Sequence, residues 1–175
     1  MTGRVAVGHW VLLCYRLPRE PSTPRITVWR KLKRLGVVQL SDGMVALPAD
    51  ARTREQLEWI ADEILQVGGE ASIWLAEPAT AGQERDLARR MATARAEEYA
   101  TITAEARALT GDASPRERRR LADKLRAELR RIDRRDYFPP PDRDVAHAAV
   151  RALHEADAPG STDAGDSTVD EEASP

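Results

Sequence analysis

The stretch RITVWRKLKRLG, residues 25–36, gathers five cations around one tryptophan, and between Pro21 and Ser41 there is no acid at all. Cations without counter-charges suit one kind of chemistry above others, the binding of anions. On a helical wheel of 100° per residue, Val28, Trp29, Leu32 and Leu35 form an apolar face. Arg30, Lys31, Lys33 and Arg34 fall on the opposite side as a cationic ridge. Two readings follow. The ridge is either a phosphate-contacting surface or a solvated face whose late bases suit the helix dipole. Arg25 stands apart, on the apolar side in the first turn, where the dipole disfavours a cation. With Ser22, Thr23 and the free N–H groups of that turn it has the makings of a tetrahedral-anion site, the competing reading being an ion pair with Glu20.

Nothing elsewhere offers a reaction. His9, His147 and His154 are scattered, and the last two are too far apart to share a metal. Cys14 is the only cysteine, placed in an apolar run where an inert thiol is usual, and it excludes an intramolecular disulfide. No nucleophile elbow, glycine-rich phosphate loop or helix-turn-helix pattern is present. The expectation is a binding protein, not an enzyme, with no metal and no cofactor.

The ridge must be positioned by its neighbours. HWVLLCYRL (9–17) is an apolar run of strand length, and Thr23-Pro24 reads as an N-cap with proline in the first helical position. VVQL (37–40) and MVALP (44–48) flank Ser41-Asp42-Gly43, a hairpin signal. Residues 52–68 carry Leu57, Ile60, Ile64 and Val67 at helical spacing, and EASIWLAEP (70–78) returns to an extended pattern. Strand, helix, strand, strand, helix, strand is the split-βαβ order, predicting an α+β, ferredoxin-like βαββαβ sandwich over residues 1–78. The first strand is apolar on both faces, so the face away from the two helices needs a cover, supplied by the later helices, a second copy, or both.

A helical extension is predicted over 79–156. Thr80 to Leu109 form one long helix ended by Gly111. Ser114-Pro115-Arg116-Glu117 is a capping box opening another, with Leu121, Leu125, Leu129 and Ile132 as its stripe. The two make a helical hairpin, followed by a short helix over about 142–156. Residues 114–136 hold ten bases and five acids. Pairs such as Asp123 with Arg119 and Glu128 with Lys124 point to a salt-bridged helix first and a polyanion surface second. Residues 157–175 carry six acids, no base and almost no apolar bulk, and are expected to be a disordered tail. Removing those acids from the net charge of −2 leaves a body of +4, compatible with a polyanionic partner. The apolar start is too short for a membrane span and lacks a cleavage signal, so a cytoplasmic protein with no membrane partner is expected.

W-x-x-L-x-Y-R-L-P-R-E-P-S-T-P-R at 10–25, V-W-R-K-L-K-R-L-G at 28–36 and R-I-D-R-R-D-Y-F-P at 131–139 resemble the N-terminal region of the chromate resistance protein ChrB, over about residues 9–155. The split-βαβ order also distantly resembles the phenylacetate repressor PaaX and the small CRISPR adaptation nuclease. The nuclease's metal-binding aspartate has no counterpart at Tyr15-Arg16-Leu17. The ChrB resemblance implies a cytoplasmic, chromate-responsive regulator of an efflux operon, with this region as its DNA-associated part. Members usually continue into a second domain where chromate sensing is thought to reside; here an acidic tail follows instead. The implied protein is a homodimer. Arg30, Lys31, Lys33 and Arg34 would contact DNA, and Arg16, Arg19 and Arg25 would meet an oxyanion such as chromate. The alternative is an interaction module without a nucleic-acid role, docking on a separate sensor chain.

Overall fold

In the computed structural model, residues 8–109 and 113–155 are described; the predicted stop at Gly111 and the acidic tail lie outside them. Strand β1 (Trp10–Arg16) leads through a proline-rich turn to α1 (Thr23–Leu35). Then follow β2 (Val38–Ser41), β3 (Met44–Pro48), α2 (Ala51–Gln66) and β4 (Glu70–Ala76). The sheet is antiparallel throughout, in the order β2-β3-β1-β4, with β1 central and Leu12 opposite both Ala46 and Trp74.

Alternation along β1 decides what each face meets. Val11 and Leu13 are fully buried with Val45 and Leu47 beneath α1 and α2, which contribute Val28, Leu32, Leu57, Ile60 and Ile64. Trp10 and Leu12 point to the opposite face. There Trp10 stacks on Phe138 with ring centroids 6.1 Å apart, and Leu87 and Met91 of the next helix join the same core. The later helices therefore cover the β1–β3 side of that face, while Trp74 on edge strand β4 stays 59% exposed.

Helices α3 (Ala81–Ala108), α4 (Pro115–Asp133) and α5 (Asp142–Glu155) form the extension. At 28 residues, α3 is about 42 Å long. Its first half packs on the sheet, and its second half joins α4 and α5 around Tyr99, Ile102, Leu125, Leu129, Ile132 and Val150. The anticipated hairpin is thus completed by α5 into a three-helix core. Ser114 and Glu117 form the expected capping box, and Asp50 with Thr53 forms another at α2.

Two local expectations are corrected. The N-cap of α1 is Ser22, not Thr23, and its side chain makes no capping bond; Pro24 consequently sits one position further in. On α4, Lys124 bonds Glu105 of α3 at 2.5 Å, a carboxylate brought in by helix packing, with Glu128 adding its charge nearby, and Asp123 pairs with Arg126 one i,i+3 step along the same helix.

Gly36 ends α1 in the left-handed conformation, φ 76°. A Cβ there would lie 2.8 Å from an Arg95 Nη and 3.0 Å from the Arg135 backbone oxygen. Gly36→Ala is expected to cost at least the ~1–2 kcal/mol of a left-handed alanine, read as a lowered urea midpoint with unchanged slope.

Candidate anion-binding surface

The four ridge cations of α1 do not share one environment. Arg30 and Arg34 are exposed, with no ion pair among the described residues. Lys33 is exposed, and its Nζ lies over the Trp29 ring, 5.3 Å from its centroid, a contact that holds the cation without neutralising it. Lys31 differs. It is half-buried against α2, and its Nζ donates to both carboxylate oxygens of Glu63 at 2.5 Å. The absence of acids between residues 21 and 41 is real in sequence, yet the partner of Lys31 arrives from the neighbouring helix.

The three arginines assigned to an oxyanion are only partly brought together. Arg16 and Arg25 line one hollow with Tyr15, Trp29 and the Asp42 side chain. Arg19 is exposed and is not part of its lining. Arg25 does not pair with Glu20 but donates to the Pro18 carbonyl at 3.1 Å, so part of its hydrogen-bonding capacity serves the proline-rich turn.

A second concavity was not legible from any one stretch. The end of α1, the start of α2 and the end of α4 converge on a cavity of about 430 Å³. Its lining includes Lys33, Arg34, Arg52, Arg131, Arg134 and Arg135, together with Gln56 and Tyr137, and no carboxylate. Hydrogen bonds across its rim join the sandwich to the extension. Arg52 donates to the Arg134 carbonyl (3.4 Å), Arg135 to that of Lys33 (3.4 Å) and Tyr137 to that of Leu35 (3.2 Å).

Behind this rim, Glu98 holds two cations at once, Arg95 at 2.8 Å and Arg135 at 2.5 Å. Burial pushes the Arg95 guanidinium below its ordinary range; Glu98 opposes that, and the nearby charge of Arg135 adds to it. Deeper in the extension, the Tyr99 hydroxyl lies 2.9 Å from both Asp133 and Asp136, and Arg143 and His147 of α5 reach Asp133 at 3.2 and 3.3 Å. Burial raises Asp136. For Asp133 burial acts in the same direction, but hydrogen bonds from His147 and Tyr99 and the charges of His147 and Arg143 outweigh it, so its net shift is downward. A carboxyl depressed in the folded state contributes stability that is complete above its unfolded pKa, about 3.9, and is lost as pH falls through the lower folded value. Asp133→Asn is expected to flatten this acid limb of the stability profile, measured as urea unfolding between about pH 5 and pH 2.

Among the described residues no group of three or more His, Cys, Asp or Glu is placed to hold a metal ion. No helix of the described residues is long and apolar enough to cross a membrane. Cys14 is half-buried on β1 between Met44 and Ser72.

An antiparallel four-stranded sheet layered with helices, extended by a three-helix core and carrying cations from three helices around one concavity, defines a mixed α/β module with a cation-lined surface. Comparison with known proteins gives the family. Residues 25–159 match the family described as "Protein ChrB, N-terminal", and the chain belongs to that family. It is 30% identical over 133 residues to Protein ChrB of Cupriavidus metallidurans, an alignment covering 74% of this chain. The chain spans 40% of the length of that relative. No solved structure matches it.

Proposed function

We propose that this chain is the DNA-contacting part of a chromate-resistance regulator, working in the cytoplasm as a homodimer and without catalytic chemistry of its own. The observation that carries the reading is the state of α1: Arg30 and Arg34 point into solvent with no carboxylate partner among the described residues, and Lys33 presents its charge beside Trp29. Cations in that state release condensed counterions when they meet a phosphate backbone. Lys31 is the weakest of the four contacts in this reading, since Glu63 already neutralises it. We read the antiparallel β2-β3-β1-β4 order, with its βαββαβ connections, as ferredoxin-like. The Arg16–Arg25 hollow is the place for an oxyanion such as chromate in this reading, with Asp42 weakening it by like charge and Arg19 contributing only from outside. Binding of the operon's promoter duplex, followed by gel shift at several salt concentrations, tests the reading. A salt-dependent complex supports it, and no complex at 50 mM salt removes it.

A second reading has its own support. Trp74 and Leu75 are 59% and 62% exposed on opposite faces of the edge strand β4, whose unpaired edge is suited to a protein partner. On this reading the chain is an interaction module docking on a separate sensor chain. A stable complex with such a chain, in the absence of any DNA shift, would favour it.

A further inference from the structure

We propose that the concavity between α1, α2 and α4 is a phosphate-type anion site, built jointly by the sandwich and the helical extension and separate from the exposed ridge residue Arg30. Three features point there. Six of the nine residues lining the cavity are cations, drawn from segments as far apart as Lys33 and Arg135, and none is an acid. Such a concentration of like charge costs free energy unless something offsets it, and a multiply charged anion does so. Of the six, only Arg135 has a carboxylate partner among the described residues, Glu98, leaving the charges of Lys33, Arg34, Arg52, Arg131 and Arg134 available.

The walls are also held in place before any ligand arrives. Arg52 is bonded to the Arg134 carbonyl, Arg135 to that of Lys33, and Tyr137 to that of Leu35, so the arginines converge from backbones already fixed to one another. Several planar guanidinium groups meeting in one hollow match the oxygens of a phosphate group, which accepts paired N–H bonds from each fork. The opening, about 430 Å³, lies within the usual range for small-ligand sites and admits a phosphate with further groups attached. The helix dipoles act on these cations one by one, and the C-termini of α1 and α4, being partly negative, work against the anion itself. Lys33, Arg34 and Arg131 lie in the last turns of α1 and α4, where cations are favoured. Arg52 lies in the first turn of α2, where the dipole disfavours it and a bound anion would relieve it.

The same chemistry is offered by a free phosphorylated ligand and by the backbone of a nucleic acid. The site itself does not depend on the DNA reading above. The test uses inorganic pyrophosphate as probe, with the full chain held at constant ionic strength by potassium chloride, and thermal unfolding as readout. The expected result is a saturable rise in Tm of several degrees for the wild type and for Arg30→Ala. In the double variant Arg131→Ala/Arg134→Ala, both exposed positions, the probe should bind at least about tenfold more weakly, with far-UV circular dichroism confirming the fold. A wild-type Tm that responds to pyrophosphate no more than to chloride overturns the site, and so does an equal response in the double variant. A duplex that displaces the probe identifies the occupant as backbone phosphate; saturable probe binding that the duplex leaves untouched identifies a free ligand. Either outcome retains the site, and the gel shift of the Arg131→Ala/Arg134→Ala protein reports separately on DNA binding.

Discussion

Replacing Arg30, Lys33 and Arg34 together by alanine is expected to lower the salt slope of DNA binding by about 2.7, three phosphate contacts at about 0.9 each. Between 50 and 200 mM salt, a fourfold change, that difference is worth about 1.6 decades, so the wild type's advantage over the variant should shrink about 40-fold across the range. Both the slope and the absolute affinity are read from the same gel-shift titrations. The internal control is Lys31→Ala combined with Glu63→Gln, which removes a cation already neutralised by its neighbour and should leave the slope nearly unchanged. Removing Lys31 alone is a poorer control, since it uncovers the Glu63 carboxylate beside the ridge. A slope that survives the triple replacement would remove α1 as the contact element.

Glu98→Ala is expected to destabilise the fold by about 2–3 kcal/mol. One carboxylate serves two cations here, and its loss leaves both Arg95 and Arg135 uncompensated. Breaking a fully buried pair costs about 3–5 kcal/mol. The lower figure follows from partial solvent access at Glu98 and Arg135, whose side chains are 30% and 23% exposed. Arg95 is the more demanding partner, since only 11% of its side chain is accessible and its Nε has no hydrogen-bond partner among the described residues. If repulsion between the two arginines is the main cost, adding Arg135→Ala should recover part of the loss, making the double variant less destabilised than the sum of the single ones. Urea unfolding of the four proteins measures that coupling. An additive double variant would mean that Glu98 and Arg135 are not energetically coupled.

Much of the architecture could be read along the chain because it rests on local rules. Asp42-Gly43 announced the β2–β3 hairpin, and Gly43 has φ 73°, where a Cβ would run into the Tyr15 carbonyl oxygen. Ser114-Pro115-Arg116-Glu117 announced the start of α4 and forms the bonds expected of it. The two-sided apolar character of β1 announced a second covering layer, and α3 with Phe138 supplies part of it. What could not be read was anything settled by elements meeting across the fold. Glu63 lies 32 positions beyond Lys31, and Glu105 lies 19 before Lys124. The cationic concavity is the largest instance. Arg131, Arg134 and Arg135 look like one end of a salt-bridged helix until α3 sets α4 beside the end of α1. The segment R-I-D-R-R-D-Y-F-P held the only signal, three arginines ahead of an aromatic pair that anchors on the sandwich.

Because α3 runs unbroken from the sheet to the three-helix core, it works as a ruler between the two halves. An insertion of one residue in its middle would turn everything downstream by about 100° and advance it by about 1.5 Å, swinging the arginines of α4 away from α1. Seven residues would nearly restore the orientation but leave a gap of about 10 Å. The phase of that single rod therefore governs whether charges more than ninety positions apart in the chain face the same point in space.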